Sequence, residues 1–350
     1  MHGYPATAGL IALCILSSFA AQALGMPLPF LLGPLITSGV LAATAQRRLP
    51  AAFAGLTGLR IVFIAVIGLM IGAQVTPELF RDSHRLALSF AALTLFVGLA
   101  MAWNYAVFRR VGGYDRATAF YSSTPGGLYE SIAFGEEAGA DPARLVLQQF
   151  LRVIMVVAIL PIALSLWLGE AVGSAGGMTL ARPDVPWSSL PLIALATAGG
   201  IGLGHVLRLP ARQLTGPMAI GVVLAMSGSL HLDIPQWLVN LAQIVIGAAL
   251  GMRFKGIAPA MILRGMALSG LSVGGMLGLA ALMALALAPL TGEAFDVMLI
   301  SFAPGGVTEM ALVALSLDAN PALVTLHHIY RILLTVIGLV GSARWLRRRF

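Results

Sequence analysis

Long apolar runs separated by short polar breaks dominate the chain, and their lengths set the first expectation. Five runs stand out in each half: residues 6–24, 28–46, 56–75, 86–109 and 142–168, then 187–207, 214–230, 235–253, 261–290 and 320–346. Most approach the ~20 apolar residues that a helix needs to cross a hydrocarbon core of ~30 Å. Between the fourth and fifth run of each half the pattern changes. There "SSTPGGLYESIAF" (122–134) and "SFAPGGVTEMALV" (301–313) set a proline, two glycines and a glutamate between two shorter helical stretches. Proline removes a backbone donor and glycine tolerates left-handed backbone, so each stretch predicts a broken or re-entrant helix.

The two stretches are copies. A shift of 179 positions aligns residues 122–152 with 301–331 without a gap, and Ser122/Ser301, Pro125/Pro304, Gly126/Gly305, Gly127/Gly306, Glu130/Glu309 and Arg152/Arg331 coincide. Gly68 and Gly72 match Gly247 and Gly251 at the same shift, and Gly33-Pro34 matches Gly216-Pro217 at a shift of 183. The chain therefore reads as one unit duplicated. The expected divisions are a first repeat over 1–168, a linker over 169–186 ("GEAVGSAGGMTLARPDVP") and a second repeat over 187–350.

Arginine placement supplies a topology. With the C-terminal "RWLRRRF" taken as cytoplasmic and each Pro-Gly-Gly segment returning to its own side, Arg208, Arg212, Arg253, Lys255 and Arg264 fall inside. Asp233, Glu293, Asp296 and Asp318 fall outside, and in the first half only Arg81 and Arg85 break the pattern. Five is an odd number of crossings, so the second copy starts on the opposite face. The expected fold is an all-α integral membrane protein of two inverted repeats, each of five transmembrane helices plus a re-entrant or broken helix at Pro-Gly-Gly. Both termini are expected on the cytoplasmic side of a bacterial inner membrane, as a multi-pass chain in the lipid bilayer.

Composition agrees with a membrane protein: 59% hydrophobic residues, 10% charged and a mean hydropathy of +0.92. The net charge of +7 comes from twenty arginines and one lysine, most of them single or paired between apolar runs. It follows the positive-inside pattern, and no nucleic acid is expected among the partners. Cys14 is the single cysteine, which excludes intrachain disulfides, cysteine zinc sites and iron–sulfur clusters. The first 24 residues resemble a signal peptide but lack a basic start, so an uncleaved first helix is expected. No phosphate-binding loop or His-Glu-x-x-His is present, and "GLSVG" (270–274) lies inside a long apolar run rather than after a strand. No catalytic residue, metal or cofactor is assigned, and the chain is not expected to be an enzyme.

The candidate chemistry sits at the breaks. Non-helical backbone at membrane depth survives only where it is buried in protein or lines a wet cavity. A new helix starting at Gly127 or Gly306 offers free N–H groups and a positive dipole end to an anion. Ser122, Ser123, Thr124, Ser301 and Thr308 add hydroxyls beside Pro125, Gly126, Pro304 and Gly305. Glu130 and Glu309 lie within one turn of each tip, where a carboxylate is costly and functional by default. Arg152 and Arg331 lie ten residues into the next helix, ~15 Å along it, and each needs a partner. Two readings stay open for them: coupling-ion and counter-charge groups, or structural Glu130–Arg152 and Glu309–Arg331 pairs that pin each hairpin. His327 and His328 stand where the first copy has Gln148 and Gln149, and read equally as a proton relay or as buried hydrogen-bonding groups. The Gly-x-x-x-Gly pairs 68/72, 200/204 and 247/251 read as close helix packing.

"TPGGLYE" (124–130) and "APGGVTEM" (303–310), each followed by Asp-Pro or Asn-Pro and a helix carrying an arginine, resemble the AbrB family of bacterial membrane proteins with its two AbrB duplication domains. The resemblance covers both halves and implies a cation/proton antiporter- or anion transporter-like fold. The family also carries labels of gene-expression regulator and ammonia monooxygenase, for which the residues offer neither a soluble DNA-reading module nor a clustered ligand set. Inverted repeats with interrupted helices are the architecture of many secondary transporters. The leading expectation is thus an ion-coupled secondary transporter of a small anionic solute, working by alternating access, with H⁺ or Na⁺ at the glutamates. A membrane-embedded sensor or regulator that binds a solute without moving it is the alternative, and an intramembrane enzyme a remote one. A second copy of the chain is a candidate partner.

Overall fold

A computed structural model of the chain describes residues 3–46, 49–50, 53–73, 75, 83–169, 189–209, 211–227, 234–317 and 319–346. The expected linker, from residue 170 on, lies outside the described residues, as do Arg81, Asp233 and Asp318. The helices, in chain order, are α1 (Gly3–Ala23), α2 (Pro29–Thr44), α3 (Leu56–Ala73), α4 (Ser83–Ala106), α5 (Arg116–Ser122), α6 (Leu128–Glu137) and α7 (Pro142–Leu168). They continue with α8 (Leu190–Val206), α9 (Arg212–Met226), α10 (Gln236–Gly251), α11 (Pro259–Thr291), α12 (Phe295–Phe302), α13 (Val307–Ser316) and α14 (Pro321–Leu346). A π-helical turn, Val107–Val111, extends α4.

Seven helical segments among the described residues are long and apolar enough to cross a membrane: Tyr4–Ala23, Leu56–Ala73, His84–Val111, Pro142–Leu168, Gln236–Phe254, Pro259–Thr291 and Pro321–Leu339. The protein is therefore membrane-associated. That count corrects the expected two inverted repeats of five spans, because four such segments fall in the first half and three in the second. The shortfall has a physical cause. α2, α8 and α9 have 16, 17 and 15 residues, or about 22–26 Å at 1.5 Å per residue, short of a ~30 Å core. α2 and α9 also carry an internal proline, Pro34 and Pro217, and α9 opens on Arg212-Gln213.

The chain divides into two compact units, and each takes segments from both halves of the sequence. One comprises Met1–Arg81, Ala158–Gly256 and Ala311–Ala322. Its helices approach backbone to backbone because small residues line the seams. Gly68 and Gly72 of α3 lie against the carbonyls of Leu214 and Met218 in α9, and Gly247 and Gly251 of α10 against those of Leu31 and Leu35 in α2. Gly200 of α8 faces Pro217 in the same way. These are the Gly-x-x-x-Gly pairs of the sequence, and a methyl group at any of them would collide with backbone that has no rotamer to yield.

The other unit comprises Asp82–Val157, Ile257–Met310 and Leu323–Phe350. Here α4 lies along α11. Trp103 donates to Ser272 O at 3.3 Å with its indole over Gly275, and Ser272 donates to Asn104 Oδ1 at 2.6 Å. "GLSVG" is part of α11 and has no nucleophile-elbow geometry. Phe96 and Phe302 meet edge to face at 5.6 Å, both fully buried. Every residue singled out at the two Pro-Gly-Gly breaks belongs to this unit.

Candidate functional site

Each tip joins two short helices through a Pro-Gly-Gly turn, though only the first has a side-chain cap on its entering helix and a left-handed glycine. Asp115 caps α5 by accepting the Thr118 N–H at 2.9 Å, and α5 runs out when Ser123 donates its N–H to Ala119 O and Phe120 O. Burial raises the Asp115 carboxyl, but hydrogen bonds from Thr118, Ala117 and its own N–H outweigh it and hold the group below its usual range. Pro125 and Gly126 follow, and Gly127 takes a left-handed φ of 59° from which α6 starts. A side chain there would be strained whatever the space. In the second copy α12 ends at Phe302, Ala303-Pro304-Gly305-Gly306 make the turn, and α13 starts at Val307.

The next long helix of each copy then reaches back. Arg152 of α7 donates from Nη1 to Thr124 O, and Arg331 of α14 donates from Nη1 to Ala303 O and from Nη2 to Gly305 O at 2.7 Å. Arg152–Thr124 and Arg331–Ala303 are both 28 residues apart, as are Gln149–Tyr121 and His328–Ile300. Gln149 donates to Tyr121 O at 2.7 Å, and His328 Nε2 lies 3.1 Å from Ile300 O. The duplication is thus written in the bonding as well as in the letters. Both arginines are fully buried or nearly so, at 6% and 1% exposure, and carbonyl oxygens of the tips are their partners. Of the two readings left open, the structural Glu130–Arg152 and Glu309–Arg331 pairs give way to these carbonyl contacts.

The glutamates turn to their own helices instead. Glu130 and Glu309 each stand in the first turn of α6 and α13. Glu130 Oε2 lies 3.5 Å from where a Cβ on Gly127 would be, and the Glu309 carboxylate folds over Gly306 in the same manner. Each carboxylate thereby covers the positive end of its helix, a placement worth ~0.3–1 kcal/mol. Glu130 is half-buried and Glu309 is buried.

One residue, Arg331, meets both tips. A Cβ on Gly126 would stand 3.0 Å from Thr335 Oγ1, 3.4 Å from Arg331 O and 3.6 Å from Arg331 Cγ, so tip one rests on α14 at the turn where Arg331 leaves it. The guanidinium of the same residue holds tip two. Around this crossing the hydroxyls divide. Thr124 Oγ1 lies 2.6 Å from Ser131 Oγ and 3.1 Å from Tyr121 O, and accepts from Gln149 Nε2 at 2.9 Å. Ser123 donates to Phe120 O and Ser301 to Val297 O, each a local helical bond. Ser122 is buried with an unpartnered Oγ, and Thr308, Pro125 and Pro304 are buried.

Sequence reasoning missed Ser131, Thr335 and Asn104, which donates to Ser123 O at 3.1 Å. The signal for Ser131 was its alignment with Met310 under the 179-residue shift; Thr335 and Asn104 lie far along the chain from the tips they serve. The copies also exchange partners. Gln148 of α7 accepts from Ser269 of α11, and His327 of α14 lies 2.9 Å from Ser89 of α4. Among the described residues no three His, Cys, Asp or Glu side chains gather as a metal ion would need.

Comparison with known proteins adds a family to this geometry. The family described as "Transition state regulatory protein AbrB" matches residues 43–347. "Putative regulator AbrB" of Escherichia coli (strain K12) is 27% identical over 322 residues, covering 89% of each chain. "Uncharacterized protein YhjN" of Bacillus subtilis (strain 168) is 28% identical over 258 residues, 70% of this chain and 67% of its own. These findings overturn the expected ion-coupled secondary transporter: the family and the first relative are described as regulators, and neither description speaks of transport. H⁺ and Na⁺ as coupling ions at Glu130 and Glu309 are withdrawn with it. The expected absence of a nucleic-acid partner is corrected too, since it conflicts with a family described as regulatory.

Proposed function

Because the chain belongs to the AbrB family, as the match over residues 43–347 establishes, we propose that it is a membrane-embedded regulator whose signal is a small solute held at the two Pro-Gly-Gly tips. A family of regulators is not a family of enzymes, and the residues named above act by binding. The observation that carries the reading is Arg331, which supports tip one with its backbone and tip two with its guanidinium. A group that touches both tips changes its contacts when either tip is occupied, and this is what a sensor requires of its central residue. The repeats 1–168 and 187–350, joined by 169–186, would each supply one tip. Ser122 to Gly127 and Glu130 with Arg152 form one side of the site, and Ser301, Pro304 to Gly306, Thr308 and Glu309 with Arg331 the other.

The chain is further proposed to be a multi-pass protein of the bacterial inner membrane with cytoplasmic termini, as its arginine distribution supports. Cytoplasmic termini require an even number of crossings. An odd number of the shorter apolar helices, Pro29–Thr44, Leu190–Val206 and Val307–Ser316, would then have to cross beside the seven long segments. Reporter fusions at each end test this, and opposite sides for the two ends would reject it.

The regulatory reading is tested by comparing transcripts in a deletion strain, in the strain complemented with the wild-type gene, and in one complemented with Arg331→Gln. A set of transcripts restored by the wild type and not by the equally abundant Arg331→Gln protein is expected. Identical transcripts in all three strains would remove the reading.

A further inference from the structure

We infer that the outer end of α4 and α11 docks the headgroup of an anionic phospholipid, a site that stands apart from the tips and does not rest on the regulatory reading. Arginines gather there around one buried tyrosine. Arg109 donates from Nη1 to Tyr114 O at 2.7 Å, and the Arg144 guanidinium lies 5.3 Å from the centre of the Tyr114 ring. Arg110 and Arg116 flank the same turn in the chain. α11 supplies a further one. It runs antiparallel to α4: Arg85 reaches Thr291 O, Trp103 reaches Ser272 O, and a Cβ on Gly112 would meet the Leu268 side chain. Leu268 packs on the cluster of Phe108, Tyr114 and Ala119. Arg264 precedes it by four residues, so it stands one turn further out on the same face of α11.

The acids at this end do not cancel the arginines on the α4–α11 side. Arg110, Arg116 and Arg264 are exposed and make no hydrogen bond or ion pair among the described residues. Asp141 lies 3.3 Å from Arg144, and Asp115 is committed to the Thr118 N–H and hydroxyl. Glu136 and Glu137 end α6, which follows the face of α5 that carries Ala117 and Tyr121, whereas Ala119 on the opposite face meets the α4–α11 cluster. Arg109, Arg110 and Arg264 therefore stand against Asp115. The close of α4 and the start of α11 add about half a charge each, of opposite sign. The surplus stays positive. Nor does the fold demand it: at the 179-residue shift Arg109, Arg110, Arg116 and Arg144 become Ala288, Pro289, Phe295 and Leu323, yet α12 starts at Phe295 just as α5 starts at Arg116.

Hydrocarbon beside the charge selects the partner. Leu99 and Trp103 of α4 and Leu263, Met266 and Leu271 of α11 are 41–69% exposed, on helical segments long and apolar enough to cross a membrane. In a bilayer acyl chains cover such faces, and the headgroups of those same lipids are what reaches the arginines. Guanidiniums take a phosphodiester through charge-assisted hydrogen bonds. A basic surface near the membrane favours an anionic over a neutral headgroup by about fivefold per arginine. A soluble anion would use the charge alone and leave the apolar faces out of the binding.

Tryptophan fluorescence of the purified full chain in phosphatidylcholine vesicles tests this, with phosphatidylglycerol or phosphatidylcholine carrying brominated chains added at equal mole fraction. Bromine quenches the tryptophans it touches, and Trp103 lies on the same end of α4 as the arginines. Brominated phosphatidylglycerol should quench with an association at least about fivefold stronger than that of brominated phosphatidylcholine. Trp103→Phe should remove that excess. The excess should also vanish in Arg110→Gln/Arg264→Gln, yet persist in Arg110→Lys/Arg264→Lys and in Arg208→Gln/Arg212→Gln, which takes as much charge from exposed arginines elsewhere. Should Arg110→Gln/Arg264→Gln fail to fold, wild type at about 1 M NaCl, where the screening length falls to ~3 Å, should lose the excess instead. Equal quenching by the two lipids, or an excess that survives either Trp103→Phe or the loss of Arg110 and Arg264, would overturn the inference. An excess abolished by soluble glycerol phosphate would overturn it too, and would mark a site for a free anion.

Discussion

At tip one Thr124, Ser131 and Gln149 occupy the positions that Ala303, Met310 and His328 occupy at tip two. The first set makes a hydroxyl–amide network around one threonine. In the second, Met310 lies across Gly305 with three side-chain atoms 2.8 Å from where a Cβ would be, and Glu309 covers Gly306. One backbone contact is nonetheless the same in both, down to the 28-residue step from carbonyl to arginine, while Arg331 adds a second, to Gly305 O. Duplication has preserved the frame while the side chains diverged, and both tips keep unpartnered buried atoms, Arg152 Nε and Gln149 Oε1 at one and Arg331 Nε and His328 Nδ1 at the other.

The largest expected effect separates the two arginines. Arg331→Ala strips the guanidinium from two tip carbonyls and should cost ~3 kcal/mol or more, while Arg152→Ala, which serves one, should cost about half of that. Denaturant unfolding in detergent measures both, and equal losses would mean that Arg331 is not the joint between the tips. A smaller effect distinguishes the glycines. Gly126→Ala meets Thr335 and the Arg331 backbone and should cost ~1–3 kcal/mol, whereas the nearest atoms to Gly305→Ala belong to the flexible Met310 side chain and the change should cost less than ~1 kcal/mol. The reverse order would show that tip two, not tip one, is the tightly seated one. The smallest effect concerns the network itself. Thr124→Val should lose ~1–2 kcal/mol, and Ala303→Thr should not gain it back, because no amide or serine stands ready at tip two.

Much of the site was legible in the sequence because glycine, proline and charge leave few alternatives in a greasy chain. The paired breaks, their glutamates and the arginines ten residues into the next helix all fell in one compact unit. The partners were not legible. A charged side chain near a carboxylate suggests an ion pair, yet a tip that breaks its helix also exposes carbonyls, and those took Arg152 and Arg331. Apolar runs likewise overstated the spans: residues 28–46 and 214–230 read as crossings, but the helices there, Pro29–Thr44 and Arg212–Met226, start behind left-handed Leu28 and Ala211, carry an internal proline each, and have only 16 and 15 residues. Function was misread for a related reason, since broken helices are common to transporters and to any buried binding site.

The seating of Gly126 against Thr335 bears on how the chain is made. Arg152 closes a loop of 28 residues onto its carbonyl, an event available as soon as α7 leaves the ribosome. The α14 contact joins residues more than two hundred positions apart, and closing so long a loop costs roughly 2 kcal/mol more in chain entropy. Tip one therefore waits, half assembled, until α14 emerges, and that helix completes the first tip as it finishes the second. A nascent chain that stops short of α14 loses both.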